Sequence, residues 1–199
     1  MSIYPLGELE GQGGGGKLLS QSLQEYLGVA VEGYLFGVSL QETKESFKGN
    51  ILGLLKNQGQ TNLGRWDLLR LWWEARSVRE DRIKLLKFDK PLDPERLERI
   101  IGQYFVDEKI RAEALTIAVL NNTNQPGLAA KEARIIKNLG GRIIGLGDIE
   151  KERCQIASQK KYKDSHTVRR LAKVFGCPWG GENLFGQRAD LVLILGEMI

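Results

Sequence analysis

Two stretches of this chain, Leu115 to Leu120 and Ala189 to Leu195, are almost wholly apolar. Each is too short to cross a bilayer and too continuous for a strand with one wet face. Runs of this kind read as strands buried on both sides, at the centre of a sheet. The residues between them must therefore supply the covering layers. Asn121 to Gln125 is a polar turn. Pro126-Gly127 then opens a helix with Leu128, Ile135 and Leu139 on one face and Ala129, Ala133 and Ile136 beside it, and Gly140-Gly141 ends it. Arg142 to Leu146 and Cys154 to Ser158 read as strands. Ser165 caps a second helix with apolar Val168, Leu171, Ala172 and Phe175, and Gly176 stops it. The order is β-α-β-β-α-β. Its compact solution is one sheet with both helices on a single face, a ferredoxin-like split βαβ arrangement.

The amino-terminal half is less regular. Residues 2–6 read as a short strand, and Gly13 to Gly16 as a loop. Lys17 to Leu27 has helical spacing, with Gly28 as its left-handed stop. Val29 to Val38 reads as a strand and Ser46 to Lys56 as a helix. Thr61-Asn62 is expected to cap a helix carrying Trp66, Leu69 and Trp73. Ile83 to Phe88 reads as a strand. Asp93-Pro94-Glu95 starts a helix whose buried stripe is Leu97, Ile100, Ile101 and Tyr104. The fold class is α/β (α+β): a reduced α/β region over 1–110 and a βαββαβ module over 111–199, with a linker near Asp107 to Glu113.

Charge and cysteine content narrow the partners. Lys and Arg number 29 against 25 Asp and Glu, a net charge of +4 over 199 residues. That excess is too mild to imply nucleic acid, whose binders concentrate charge in a stripe. No apolar stretch approaches the ~18 residues of a membrane span, and the start lacks a signal-peptide layout. An export signal or anchor is expected only upstream of the chain. Cys154 and Cys177 are either two unrelated apolar residues or a disulfide, and a disulfide implies an oxidising compartment. With the lone His166 they make a poor metal set. No cofactor is implied.

The candidate chemistry is that of binding. Gly11 to Lys17 nearly matches a phosphate loop, but Leu18 stands where a hydroxyl must hold Mg²⁺. Arg65, Arg70, Arg76, Arg79 and Arg82 interleave with Trp66, Trp72 and Trp73. Together they can serve anion or sugar binding by stacking and charge, or helical spacing puts the tryptophans largely on the inner face, with the arginines reaching out beside Glu74, Glu80 and Asp81. Lys160, Lys161, Lys163, Arg169, Arg170 and Lys173 form a denser basic run, either a solvated face or a contact for an anionic polymer. Asn121, Asn122, Thr123 and Asn124 lie between a central strand and a helix start, where an anion or a sugar hydroxyl can be held; the same side chains can equally satisfy the turn. His166 is expected to make a local hydrogen bond, and no nucleophile–base pair presents itself, so no catalytic residue is named.

Ile117 to Thr123, Gly127 to Ala130, Asn138 to Gly141 and Leu193 to Gly196 together resemble the LytR C-terminal domain family over residues 115–199, with Asn122 where many members have Gly. Residues 1–110 are similar to a reduced LytR–CpsA–Psr domain, through Tyr4 to Gly14, Leu27 to Tyr34 and Thr61 to Leu63. Members of that second family transfer glycopolymers to peptidoglycan through an arginine-rich pocket. The corresponding segment, between Tyr34 and Thr61, holds no arginine here. The resemblance therefore implies a non-catalytic, extracytoplasmic envelope protein whose partner is cell-wall glycan, an anionic envelope polymer or another envelope protein. The alternative it leaves is a fragment or divergent member of the transferases.

Overall fold

The computed structural model describes residues 15–36, 60–79, 94–150 and 153–196. The chain divides into two compact units, Met1–Ser22 with Val31–Leu92, and Leu23–Ala30 with Asp93–Ile199. The expected strand at 2–6, helix at 46–56 and strand at 83–88 lie outside the described residues, as does most of the near-phosphate loop.

Helix α1, Gly15–Leu27, begins in the first unit and ends in the second. Its stop is the expected one: Gly28 has φ +64° and donates its N–H to the Gln24 carbonyl at 2.8 Å. In the first unit, β1, Leu35–Phe36, pairs antiparallel with β2, Gln60–Thr61. Among the described residues of the strand expected over 29–38, these two alone join a ladder. Helix α2 spans Arg65–Ser77. Thr61 and Asn62, expected to cap it, instead tie the two strand segments together: the Thr61 hydroxyl donates to the Tyr34 carbonyl at 2.7 Å, and Asn62 Oδ1 accepts the Tyr34 N–H at 2.8 Å. The helix starts later, at Gly64, whose N–H is taken by the Asp67 carboxylate at 3.1 Å.

The second unit opens with α3, Pro94–Tyr104, and α4, Glu108–Glu113. Leu97 and Ile101 of the expected stripe are buried, whereas Tyr104 is exposed. The segment read as a linker is thus an ordered helix. Asp107 caps it by accepting the Lys109 and Ile110 N–H groups at 3.0 and 3.4 Å. Ile110 inserts beside Ile135 and Leu139. The charged sequence of α4 conceals that single apolar anchor.

The core is a five-stranded sheet in the order β4-β3-β7-β5-β6. Its strands are β3 Thr116–Asn121, β4 Arg142–Asp148, β5 Gln155–Ser158, β6 Trp179–Gly181 and β7 Leu191–Leu195. Helix α5, Leu128–Asn138, connects β3 to β4, and α6, His166–Phe175, connects β5 to β6. The continuous apolar runs occupy the centre as expected: β3 and β7 pair in parallel, Ile117 beside Leu191, and every residue of β7 is buried. Both helices lie on one face, since Ala129, Ala133 and Ile136 share a cluster with Val168 and Leu171 over Ile117, Val119, Leu191 and Leu193. Ala118, Leu120, Val192 and Ile194 fill the other face, with Leu184 and Phe185 against them.

The ferredoxin-like split arrangement is not the one adopted. β4 bonds directly to β3, in parallel, with no strand inserted between them. The second helix connects β5 to the unexpected strand β6, also parallel and adjacent. β7 then joins the two βαβ halves of the sheet, parallel to β3 and antiparallel to β5. The physical reason lies in Trp179–Gly181: this short glycine-rich strand carries no hydrophobic run, yet it takes the place beside β5 that the split pairing gives to β4.

Candidate functional site

The carboxyl ends of β3, β4 and β7 lie together, because these three strands run in parallel. In open sheets such ends are where loops are free to hold ligands. Asn121 organises the loop there. It is buried at 5% exposure and uses both ends of its side-chain amide within the turn. Its Oδ1 accepts the Thr123 N–H at 3.0 Å and the Thr123 hydroxyl at 2.7 Å, and its Nδ2 donates to the Gln125 carbonyl at 3.2 Å. The Thr123 hydroxyl in turn accepts the Gln125 N–H at 3.3 Å. Asn122 donates its N–H to the Leu195 carbonyl at 2.8 Å, which ties the turn to β7.

With Asn121 holding the backbone, Asn122, Thr123 and Asn124 line an open depression of about 420 Å³ together with Asp148, Ile149 and Glu150. The second group comes from the end of β4, and nothing in its own sequence marks it out. Its only signal is position, at the carboxyl end of a strand parallel to β3. Amides beside carboxylates offer both donors and acceptors, the pattern that suits hydroxyl groups. Two acidic side chains make the same place a poor seat for an anion.

Arg169, Arg170 and Lys173 lie on α6, which starts at the opposite end of the sheet from this turn, where Ser158 pairs with Leu191. Arg169 and Lys173 are exposed, while Arg170 is half-buried with its Nε 3.7 Å from the Asp107 carboxylate. The two sets of candidate residues are therefore not brought into one site.

What the start of α6 does contain is an acidic clasp from α4. Ser165 caps the helix as expected, accepting the Val168 N–H at 3.1 Å. Glu113 adds a cap from outside: it accepts the His166 N–H at 2.7 Å, the Thr167 N–H at 2.8 Å and the Thr167 hydroxyl at 2.5 Å. His166 Nε2 meets Asp107 at 2.8 Å, so its hydrogen bond crosses between elements and is not the local one expected. Burial pushes the Glu113 carboxyl up, but the bonds from Thr167 and His166 outweigh it and hold it below the ordinary glutamate value. Asp107 is likewise lowered against burial by His166 and by the Ile110 and Lys109 N–H groups. The sequence hint was a pair of carboxylates in a supposed linker.

Cys154 and Cys177 are joined by a disulfide with Cα atoms 5.1 Å apart, beside the buried helix face of the sheet. On α2, Trp66 and Trp73 contradict the inward orientation expected of the tryptophans, whereas Trp72 is half-buried. Trp66 and Trp73 are 82% and 69% exposed and Leu69 is 52% exposed, while Ala75 takes the buried side. Apolar residues run along both sides of this helix, so spacing alone could not choose the inner one. Comparison with known protein families, curated proteins and solved structures returns no match for this chain.

Proposed function

We propose that this protein is a non-catalytic cell-envelope module that binds the glycan of the cell wall at the carboxyl end of its central strands. The observation that carries the proposal is the amide-and-carboxylate rim formed by Asn122, Thr123 and Asn124 facing Asp148 and Glu150. Sugar hydroxyls both donate and accept, and a rim of this mixed kind meets them without demanding a charge on the ligand. Its acidic half favours an uncharged glycan strand over an anionic polymer at this place. The envelope location draws support from the Cys154–Cys177 disulfide, since such bridges persist in oxidising compartments. It also draws on the resemblance of residues 115–199 to the LytR C-terminal family.

The test is co-sedimentation of the purified chain with purified peptidoglycan, either stripped or still carrying its attached polymer. Retention on both is expected, reduced several-fold in an Asn124→Ala/Asp148→Asn variant whose fold is intact by circular dichroism. Failure to sediment with either preparation defeats the proposal. Retention only on polymer-bearing material also defeats it, moving the contact to the exposed cations of α6.

A further inference from the structure

The exposed side of α2 has a charge pattern as well as an apolar stripe. At ~100° per residue, Trp66, Leu69 and Trp73 fall on one narrow arc. Arg65 and Arg76 flank that arc on one side and Arg70 on the other, and all three arginines are exposed. The acids of the helix, Asp67 and Glu74, lie beyond Arg70, away from the stripe. Leu68, Leu71, Trp72 and Ala75 take the remaining arc, half-buried or buried. The Arg76 guanidinium sits 5.5 Å from the ring centre of Trp72, on the neighbouring half-buried arc.

We propose that this face of α2 is a docking surface for an anionic lipid bilayer, on which the helix lies flat. Three observations select that occupant. Two exposed tryptophans and a leucine make roughly a few hundred Å² of apolar surface, more than scattered exposure accounts for. Indole rings have an apolar body and a polar N–H, which suits the depth of the headgroups. Guanidinium groups on both flanks complement lipid phosphates, reaching them while the stripe enters the acyl boundary. A second copy of the chain is disfavoured, because a two-fold pairing on this stripe sets arginines against arginines. No helix among the described residues is long and apolar enough to cross a membrane.

The experiment uses the full chain with phosphatidylglycerol-containing vesicles and with phosphatidylcholine vesicles, some carrying acyl-brominated lipid. Three of the four tryptophans lie on α2, so quenching reports that helix directly. Binding to anionic vesicles with quenching by the brominated chains is expected, weakened by added salt. Trp66→Ser/Trp73→Ser should abolish most of the quenching without altering the fold, since both rings are exposed. Arg65→Gln/Arg70→Gln/Arg76→Gln should lower the apparent affinity for anionic vesicles at least tenfold and leave the rings in place. Equal binding to both vesicle types, or binding without quenching, overturns the proposal. So does a chain that self-associates through Trp66 and Trp73, or that pairs with an acidic protein while ignoring lipid.

Discussion

Single side chains in this protein do work that their sequence neighbourhoods do not announce. Asn121 reads as a ligand-binding amide, yet in the structure it closes the turn after β3 from the inside. Removing it leaves the Thr123 N–H and the Gln125 carbonyl without their buried partner. Asn121→Ala is therefore expected to destabilise the fold by about 1–3 kcal/mol, read as a lowered urea midpoint with an unchanged slope. Glu132 on α5 illustrates the opposite case. Its Oε2 is buried with no hydrogen-bond partner among the described residues. Burial raises its carboxyl above the ordinary value, against the charge of Lys131 and with that of Glu25. The folded state therefore holds this proton more tightly than the unfolded chain, and the stability it confers is lost as pH rises through the raised value. Glu132→Gln removes that penalty and should raise the melting temperature at pH 7, with the gain shrinking on acidification.

Among the elements, α4 is inconspicuous in sequence, yet it packs against α5 and α6. It anchors itself through Ile110, which is 1% exposed, and clasps the start of α6 through Asp107 and Glu113. A carboxylate at a helix start satisfies open N–H groups and faces the positive end of the helix dipole. Because the folded Glu113 value is depressed, its contribution is fully present above the ordinary glutamate range near ~4.3. It is lost as pH falls through the lower folded value. Asp107 follows the same sign. Glu113→Gln is expected to cost about 1–2 kcal/mol at pH 7. The difference from the unaltered chain should close at pH values below the folded value, as followed by denaturant melts across that range. A difference that persists unchanged in acid would show that the carboxylate charge is irrelevant to the clasp.

For the molecule as a whole, the second unit is held by a sheet whose two faces are closed by different means. Helices α5 and α6 cover one, and the 184–185 segment lies against the other. The Cys154–Cys177 bridge, spanning 23 positions, ties the start of β5 to the approach to β6. Constraining a loop of that size in the unfolded chain is worth ~3 kcal/mol. Reduction under native conditions, or Cys154→Ala/Cys177→Ala, should lower the denaturant midpoint by a corresponding amount while the far-ultraviolet spectrum keeps its mixed α/β form. An unchanged midpoint would mean that the bridge is dispensable to the fold.

Local signals sufficed for many features but misplaced the cap of α2, which falls at Gly64 and not at Thr61-Asn62. The doubly buried runs of β3 and β7, the Ser165 cap, the Gly28 and Gly176 stops and the apolar stripes of α5 and α6 could all be read along the chain. Each depends on residues within a turn or two of one another. The strand order could not be read in this way, because β6 is recruited by its neighbour β5 and carries too few apolar side chains to declare itself. Nor could the outward face of α2 or the helical state of α4, since both sides of the first are apolar and the second buries one isoleucine among charges. The rim facing Asn122 and Asn124 is assembled from β4 only by parallel pairing. These features are set by contacts between segments far apart in sequence, where the free energy depends on what each surface meets and not on its own pattern.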